Sequence, residues 1–283
     1  MTAPIVRTLS QLRAMTRDWH MAGNSIGVVP TMGALHDGHL SLVARAKEMS
    51  DRVIVTIFVN PKQFNNAEDL ANYPRTEHED ARKLERFAVD AIYVPDGAQM
   101  YPDGFCTNIS VEGLTDVLCG AHRAGHFDGV ATVVTKLITQ TSADLAFFGE
   151  KDFQQLQVVR RLALDLDLGV EVVGCPTIRE MDGLAMSSRN LLLSDQARSR
   201  AATLNEVMEE MAAALGGGAR VSELRPDAEA RLAAAGFSEI DYLELRTTNT
   251  LALIDRADAP ARLFAAAYMA GVRLIDNIDV AAA

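Results

Sequence analysis

Short apolar runs alternate with amphipathic stretches through the first two thirds of the chain. Five of these runs are rich in β-branched and aromatic residues, and they end at Pro30, Pro61, Pro95, Gly149 and Pro176. Continuous apolar runs of this length are typical of strands buried on both faces. The stretches between them repeat apolar residues every three or four positions, as amphipathic helices do. The alternation predicts a parallel sheet with crossover helices, with strand ends at which a ligand would bind.

The pattern changes after about residue 177. Residues 194–215 predict one helix capped by Ser194, and residues 221–236 predict a second helix that tolerates Pro226 in its first turns. Three strand-like runs follow, with Ala270-Gly271 as a hairpin turn. Clustered helices followed by clustered strands indicate a smaller α+β domain. We therefore expect one domain over residues 1–177 and a second over 178–283.

Composition and charge narrow the class of protein. The 283 residues are 48% hydrophobic and 23% charged, which is ordinary for a globular protein, and the net charge of −11 argues against a nucleic-acid-binding surface. Cys106, Cys119 and Cys175 form no CxxC pair, which favours a reducing compartment. The sequence shows no signal-peptide pattern and no apolar run of the roughly 20 residues that a membrane span needs. We expect a cytoplasmic protein without membrane partners.

The clearest candidate chemistry follows the first strand, in PTMGALHDGHLSLVARA at residues 30–46. His36 and His39 are three residues apart, so a helix would place both imidazoles on one face of its first turn. Helix N-termini favour anions, and Gly38 leaves room for a ligand to approach the backbone. These features predict a nucleotide-phosphate site. A zinc site lacking further ligands and a pair of capping or surface histidines are the alternatives.

Four further motifs offer polar groups at loops and strand ends. FVNPKQF contains Gln63, which suits a substrate with hydroxyl and carboxylate groups, although Asn60-Pro61 is also ordinary turn chemistry. FFGEKDFQQ presents Lys151 to a phosphate, unless Lys151 is only solvated and Asp152 only a helix cap. MSSRN is either a clamp for a triphosphate or a hinge, or both. GAHRAGHFDGV places Arg123 and His126 on a second positive edge or in a plain loop.

Several common catalytic signatures are absent from the sequence. It contains no GxxxxGK[ST] phosphate loop, no GxGxxG after the first strand, no GxSxG elbow and no cysteine with a clear histidine partner. Phosphate would therefore be held by histidines, a lysine, an arginine and hydroxyl groups.

Six motifs in order, PTMGALHDGH, FVNPKQF, YPRT, GHFDGV, FGEKDFQQ and MSSRN, closely resemble the pantoate–β-alanine ligase family. This family belongs to the HIGH-motif nucleotidyltransferases, and the resemblance implies a Rossmann-like first domain. It also implies a reaction in which ATP and pantoate give pantoyl adenylate and pyrophosphate, and β-alanine then displaces AMP. The family uses Mg²⁺ and is usually dimeric, so we expect a homodimer. Ala124 stands where many members carry proline, which we expect to affect only loop rigidity.

The resemblance also implies roles for individual residues. The expected ATP contacts are Met32, Gly33, Ala34, Leu35, His36, Asp37, Gly38, His39, Gly149, Glu150, Lys151, Asp152, the backbone of Ile178, Met186, Ser187, Ser188 and Arg189. The expected substrate contacts are Gln63 and Gln155 for pantoate, Gln63 also for β-alanine, and Asn60 and Arg123 as further candidates. His39 would be the proton donor, acting with His36, Lys151, Ser187, Ser188 and Arg189. The metal ligand stays open among Glu77, Glu79, Asp80 and Asp152.

Two other functions are compatible with the paired histidines. A nucleotidyltransferase acting on a phosphorylated alcohol would need an additional basic pocket, whereas Gln63 and Gln155 are neutral. A nucleotide-sensing module would bind ATP without releasing pyrophosphate when given a hydroxy acid.

Overall fold

Six parallel strands form the sheet of the first unit in the computed structural model, which describes residues 3–282. The chain divides into two units between Pro176 and Thr177. The strands of the first unit are β1 (Ile5–Val6), β2 (Ile26–Thr31), β3 (Arg52–Ile57), β4 (Ala91–Tyr93), β5 (Leu145–Gly149) and β6 (Glu171–Cys175). Its helices are α1 (Leu9–Met21), α2 (Asp37–Met49), α3 (Ala67–Asn72), α4 (Glu77–Leu84), α5 (Gly97–Met100), α6 (Cys119–His122), α7 (His126–Thr141) and α8 (Phe153–Asp165). Short 3-10 turns lie at Pro61–Gln63, Glu85–Phe87 and Glu150–Asp152.

The predicted parallel sheet with crossover helices is confirmed. All five predicted strands are present and parallel, in the spatial order β1-β4-β3-β2-β5-β6. The sequence did not predict β1, because its two residues are too few to show a pattern. Val28, Val29, Val53, Ile54 and Val55 are fully buried, as expected for strands covered on both faces.

The strand order reverses direction between β2 and β5. From β2 the chain moves outward through β3 to β4 on one side, and it then returns to place β5 and β6 on the other side of β2. In open α/β sheets ligands bind at the carboxyl ends of the strands that flank such a reversal. At those two ends lie the loop that leads to His36 and the turn that carries Lys151.

The second unit is built on an antiparallel sheet with helices. Its strands are β7 (Phe237–Thr247), β8 (Leu253–Ile254), β9 (Ala261–Met269) and β10 (Val272–Val280), in the order β10-β9-β7-β8. Its helices are α9 (Asp195–Ala201), α10 (Thr203–Gly216) and α11 (Val221–Ala235), and a 3-10 turn spans Ser188–Leu192. Val207, Leu232, Leu243 and Leu263 are fully buried in its core.

Two local predictions for the second unit are decided by the backbone. The hairpin is confirmed, because Ala270 and Gly271 have φ of 50° and 80° and Met269 pairs with Val272. Positive φ at both central residues is the type I′ geometry that two-residue hairpins favour. The single helix predicted over 194–215 is wrong, since α9 and α10 are separate helices. Ala202 keeps helical φ and ψ of −61° and −23°, so the sequence carries no turn signal at that position.

Candidate active site

His36 and His39 form a reciprocal cap at the start of α2. The Nδ1 atom of His36 accepts the backbone N–H of Gly38 at 3.1 Å, and Nδ1 of His39 accepts the backbone N–H of His36 at 3.4 Å. The two ring centroids are 4.1 Å apart. Capping and phosphate binding were alternative interpretations of the sequence, but this geometry permits both. A ring that accepts through Nδ1 carries its proton on Nε2, where it can donate to a ligand.

The environment keeps both imidazoles neutral. Burial, followed by the charge of Lys151, lowers the pKa of His36 to about 4. Burial, followed by the proximity of His36, lowers the pKa of His39 to about 3. At neutral pH each ring therefore offers a hydrogen-bond donor without a positive charge.

Asp80 on α4 supports the loop between β2 and α2, and the sequence did not single it out for this role. Its side chain is fully buried; Oδ2 accepts the N–H of Ala34 at 3.0 Å, and Oδ1 accepts that of Leu35 at 2.8 Å. Gly33 precedes them with φ of 83°, and a Cβ there would lie 3.2 Å from Asp80 Oδ2. The backbone N–H groups of Ala34 and Leu35 are thus committed to Asp80. The available signal was the spacing, since Asp80 stands four residues before the buried Leu84 on the same helix face.

The turn after β5 brings Lys151 to the histidine pair. Lys151 and Asp152 lie in the 3-10 turn Glu150–Asp152, and their charged atoms are 3.7 Å apart. The charges of both residues act on His36 and His39, which places the four side chains in one cluster. Asp152 makes no side-chain cap for α8, although it stands at the cap position.

Gln63 is held by two motifs that are far apart in sequence. Its Oε1 accepts from Asn60 Nδ2 at 3.0 Å, and its backbone carbonyl accepts from Nδ1 of His126 at 2.8 Å and from Nη2 of Arg123 at 3.3 Å. Asn60 is 1% exposed and also donates to the carbonyl of Gly129 at 3.0 Å. The candidates Asn60 and Arg123 therefore contact Gln63 itself, and Asn60 is too buried to reach a substrate.

The two glutamines at the start of α8 have different environments. Gln154 is buried; its Oε1 accepts the N–H of Cys119 at 3.0 Å, and its Nε2 donates to the carbonyls of Leu114 and Val117 at 2.8 and 2.7 Å. Gln155 is half-buried and takes no part in that network. Gln154 thus fixes the segment before α6, which leaves Gln155 as the substrate-facing candidate of the pair.

The MSSRN segment is described within the second unit. Ser187 Oγ accepts the N–H of Arg189 at 3.2 Å and so caps the turn Ser188–Leu192. The N–H of Met186 donates to the carbonyl of Ile178 at 3.0 Å. Asn190 is 8% exposed and donates through Nδ2 to the carbonyl of Ala185 at 3.1 Å. These contacts hold the segment in a defined conformation.

The acidic side chains around the N-terminal site are largely occupied. Glu77 pairs with Arg7, and Glu79 pairs with Lys83 at 2.8 Å. Between residues 3 and 282, no cluster of three or more histidine, cysteine or acidic side chains could hold a metal ion. Within the same range, no helix is both long and apolar enough to cross a membrane.

Comparison with known proteins tests the resemblance. A family model for pantoate–β-alanine ligase matches residues 4–279. Pantothenate synthetase of Roseobacter denitrificans is 72% identical over 280 residues, which cover 99% of each chain. Pantothenate synthetase of Ruegeria pomeroyi is 62% identical over 280 residues, which cover 99% of this chain and 98% of that protein.

Solved structures agree with the sequence comparison. Pantothenate synthetase from Thermus thermophilus superposes with a TM-score of 0.92 at 43% identity, covering 98% of this chain and 99% of that one. The pantoate–β-alanine ligase of Francisella tularensis, solved in complex with β,γ-ATP and β-alanine, superposes with a TM-score of 0.82 at 33% identity, covering 98% of this chain and 97% of that one. The resemblance carried by the six motifs is confirmed over nearly the whole chain, which therefore belongs to the pantoate–β-alanine ligase family of ATP-dependent, amide-forming enzymes.

Proposed function

We propose that this enzyme condenses pantoate with β-alanine in two steps, through a pantoyl adenylate. Pantoate would attack the α-phosphate of ATP and release pyrophosphate, and the amine of β-alanine would then displace AMP to give pantothenate. The observation that carries this proposal is the cluster of His36, His39 and Lys151 at the point where the strand order reverses. Membership of the family supplies the identity of the acid and of the amine.

The first step faces repulsion between a carboxylate and a triphosphate. Lys151 is positive and its side chain is 18% exposed, so it acts on bound phosphates with little screening by water. The neutral rings of His36 and His39 add donors at Nε2 without adding positive charge. Charge stabilisation and proximity suffice for this chemistry, and the mechanism needs no covalent enzyme intermediate.

His39 remains our candidate for the catalytic donor to the phosphates. With a pKa of about 3, its ring is neutral at neutral pH and is a hydrogen-bond donor rather than an acid. We therefore propose that His39 stabilises the transition state by a hydrogen bond from Nε2, and that proton transfer from it requires a pKa raised by bound phosphates.

Mg²⁺ is the cation that this reaction class requires, and the donor set bears on how it would be held. Asp80 has both oxygens engaged by backbone N–H groups, and Glu77 and Glu79 are paired with cations. The side chain of Asp152 is 48% exposed and lies 3.7 Å from the ammonium of Lys151, within the cluster that contains the histidine pair. The residues fit an ion that would be coordinated mainly by the phosphates of ATP, and we propose Asp152 as the protein carboxylate that would contribute to holding it. When bound, it would neutralise phosphate charge.

The remaining assignments rest on the family and on local geometry. We propose that Gln63 and Gln155 bind pantoate, that Gln63 also contacts β-alanine, and that Met186, Ser187, Ser188 and Arg189 bind phosphate, with the capped turn keeping the Ser187 and Ser188 hydroxyls ordered. We also propose that the enzyme is a homodimer and acts in the cytoplasm.

Pyrophosphate release tests the proposal directly. Purified protein is incubated with ATP, Mg²⁺ and a panel of hydroxy acids, with and without β-alanine, and pyrophosphate, AMP and amide product are measured. We expect pyrophosphate release with pantoate alone, limited to about one equivalent per active site, and turnover to pantothenate when β-alanine is added. Release that required β-alanine from the outset would contradict an adenylate intermediate. ATP binding without release from any hydroxy acid would favour the nucleotide-sensing alternative.

A further inference from the structure

The amide of Gln63 has a single orientation, imposed by its neighbour Asn60. Asn60 lies between two backbone groups that cannot exchange roles. The N–H of Lys62 donates to its Oδ1 at 3.3 Å, and the carbonyl of Gly129 accepts from its Nδ2 at 3.0 Å. Because a backbone N–H only donates and a carbonyl only accepts, these two contacts fix which end of the Asn60 amide faces which way.

The half-buried Tyr101 reinforces that orientation. Its hydroxyl donates to Asn60 Oδ1 at 2.7 Å. Burial raises the pKa of Tyr101 well above its ordinary value, so this hydroxyl keeps its proton at any working pH. Phe58 and Phe105 pack around the Tyr101 ring, with ring centroids at 6.2 and 5.1 Å, and hold it in place.

The consequence passes to Gln63. Asn60 Nδ2 is a donor only, so Gln63 must turn Oε1 toward it, as the 3.0 Å contact shows. The two heteroatoms of an amide point away from each other, and Nε2 of Gln63 is therefore directed away from Asn60. The main chain of Gln63 is fixed independently by His126 and Arg123, so the side chain is the part that Asn60 controls.

We propose that Tyr101 and Asn60 are positioning residues that make Gln63 a hydrogen-bond donor toward pantoate. This inference rests on the proposed function, in which Gln63 binds that substrate. With Nε2 facing the substrate, Gln63 can donate a hydrogen bond to an acceptor oxygen of pantoate, either a carboxylate or a hydroxyl oxygen. A ligand that offers only donors at this position would bind poorly.

We call the chain of contacts from Tyr101 through Asn60 to Gln63 the relay. Two substitutions test it while Gln63 itself stays in place. Asn60→Asp keeps the acceptor for Tyr101 but cannot donate to Gln63, so the Gln63 amide turns over and presents Oε1 to the substrate. We expect the pantoate KM to rise about 10-fold or more, as for a lost hydrogen bond to a charged group, while the KM for ATP changes less than about 2-fold. Tyr101→Phe leaves the two backbone restraints on Asn60 and should raise the pantoate KM by about 3-fold.

A matched control separates positioning from general destabilisation. Tyr93 is a buried tyrosine whose hydroxyl, like that of the half-buried Tyr101, donates to a side-chain amide, that of Gln140 at 3.1 Å, but it does not contact Gln63. Tyr93→Phe should lower the midpoint of thermal unfolding about as much as Tyr101→Phe and leave the pantoate KM unchanged. If Asn60→Asp does not fold, Tyr101→Phe and its control still decide the question.

The decisive measurement repeats the substitutions in a Gln63→Ala background. If Asn60 and Tyr101 act through Gln63, neither should change the pantoate KM further once the glutamine is gone, although both should still lower the unfolding midpoint. Additive effects on the pantoate KM, or equal changes in the KM values of pantoate and ATP, would overturn the relay. If the wild-type protein does not consume pantoate, the proposed function itself is refuted. The wild-type assay is therefore completed before any variant is made.

Discussion

The buried carboxylate of Asp80 accepts the backbone N–H of Leu35 at 2.8 Å, and its second oxygen accepts the N–H of Ala34. One side chain on α4 thus holds the loop that delivers the histidine pair. Lys83, one turn later, donates to the carbonyl of Leu35 at 2.8 Å and restrains the same residue from its other side.

Asp80→Asn should damage both stability and nucleotide binding. An amide can accept only one of the two N–H groups and directs its own N–H₂ at the other, leaving buried donors unsatisfied at a cost of about 3 kcal/mol. We expect a lower unfolding free energy in urea and a raised KM for ATP. Glu48→Gln on α2 is the control, since Glu48 is exposed and pairs with Arg45 rather than with a residue that holds this loop, and it should leave both measurements nearly unchanged. Equal effects of the two substitutions would contradict the role of Asp80.

The two functions of His39 can be separated by choice of substitution. Asparagine places its oxygen near the position of Nδ1 and can keep the cap on the His36 N–H, but it lacks a donor at Nε2. We expect His39→Asn to fold and to slow adenylate formation by about 10² or more, as loss of a transition-state donor does. His39→Gln can place a donor near Nε2 only by turning its amide away from the His36 N–H, so in that position it should retain more activity and lose about 1 kcal/mol of stability.

Burst measurements of pyrophosphate and urea unfolding report these two quantities separately. The prediction for His39 fails if the asparagine variant releases pyrophosphate at a near-normal rate. His39→Ala removes both functions and should lose activity to the same extent as asparagine, with the fold intact.

Stability should fall in mild acid because of the histidine pair. The folded-state pKa values of about 4 and about 3 lie below the ordinary value of 6.5, so the unfolded chain binds protons more readily. The stabilisation from these rings is present in full above about pH 6.5 and is lost as the pH falls toward 4. Between pH 7 and pH 5, each histidine accounts for a loss of about 2 kcal/mol.

His36→Asn tests that linkage, because asparagine does not titrate in this range. Its unfolding free energy, measured in urea at several pH values, should depend less on pH between 7 and 5 than that of the wild type. Parallel curves for the two proteins would show that the acid sensitivity arises elsewhere. Activity itself should rise toward alkaline pH, since β-alanine attacks as the neutral amine.

Gly129 permits the contact between α7 and the loop that carries Gln63. A Cβ at this position would lie 2.3 Å from the carbonyl oxygen of Lys62. Because this oxygen belongs to the main chain, it cannot move aside without shifting the backbone of the loop. Gly129→Ala should cost about 3 kcal/mol and raise the KM for pantoate. Gly97→Ala is the matched control, because nothing lies within 4 Å of its added Cβ, and it should leave the pantoate KM unchanged.

Gln155 and Gln154 provide an adjacent pair with opposite expectations. Gln155→Ala should weaken pantoate binding far more than ATP binding and leave thermal stability unchanged, as calorimetric titration and unfolding would show. Gln154→Ala removes three hydrogen bonds to the backbone of residues 114–119 and should chiefly lower stability. Equal losses of pantoate and ATP affinity in Gln155→Ala would remove it from the pantoate site.

Sequence patterns identified the parts of this enzyme that have local signals. The strands of the first sheet have continuous apolar runs, and the hairpin has its Ala270-Gly271 turn. Tyr101 and His126 have no such signal, since Tyr101 meets Asn60 and His126 meets Gln63 only through the fold. Gln154 and Gln155 are neighbours of identical type, and only the helix phase tells them apart. Asp80 was one of four candidate acids, because burial of a carboxylate cannot be read from its identity.

The neighbouring position of β2 and β5 has a consequence for how the enzyme matures. Gly27 on β2 pairs with Leu145 on β5, so this pairing can form only after the ribosome has synthesised both strands. Pairing two distant segments requires the closure of a long loop, and this entropy cost arises before any contact offsets it. Such pairings therefore form late in folding. A nascent chain that has not yet emerged beyond Lys151 can present its histidines but not the ammonium beside them. Affinity for ATP should thus arise only once most of the first unit has left the ribosome.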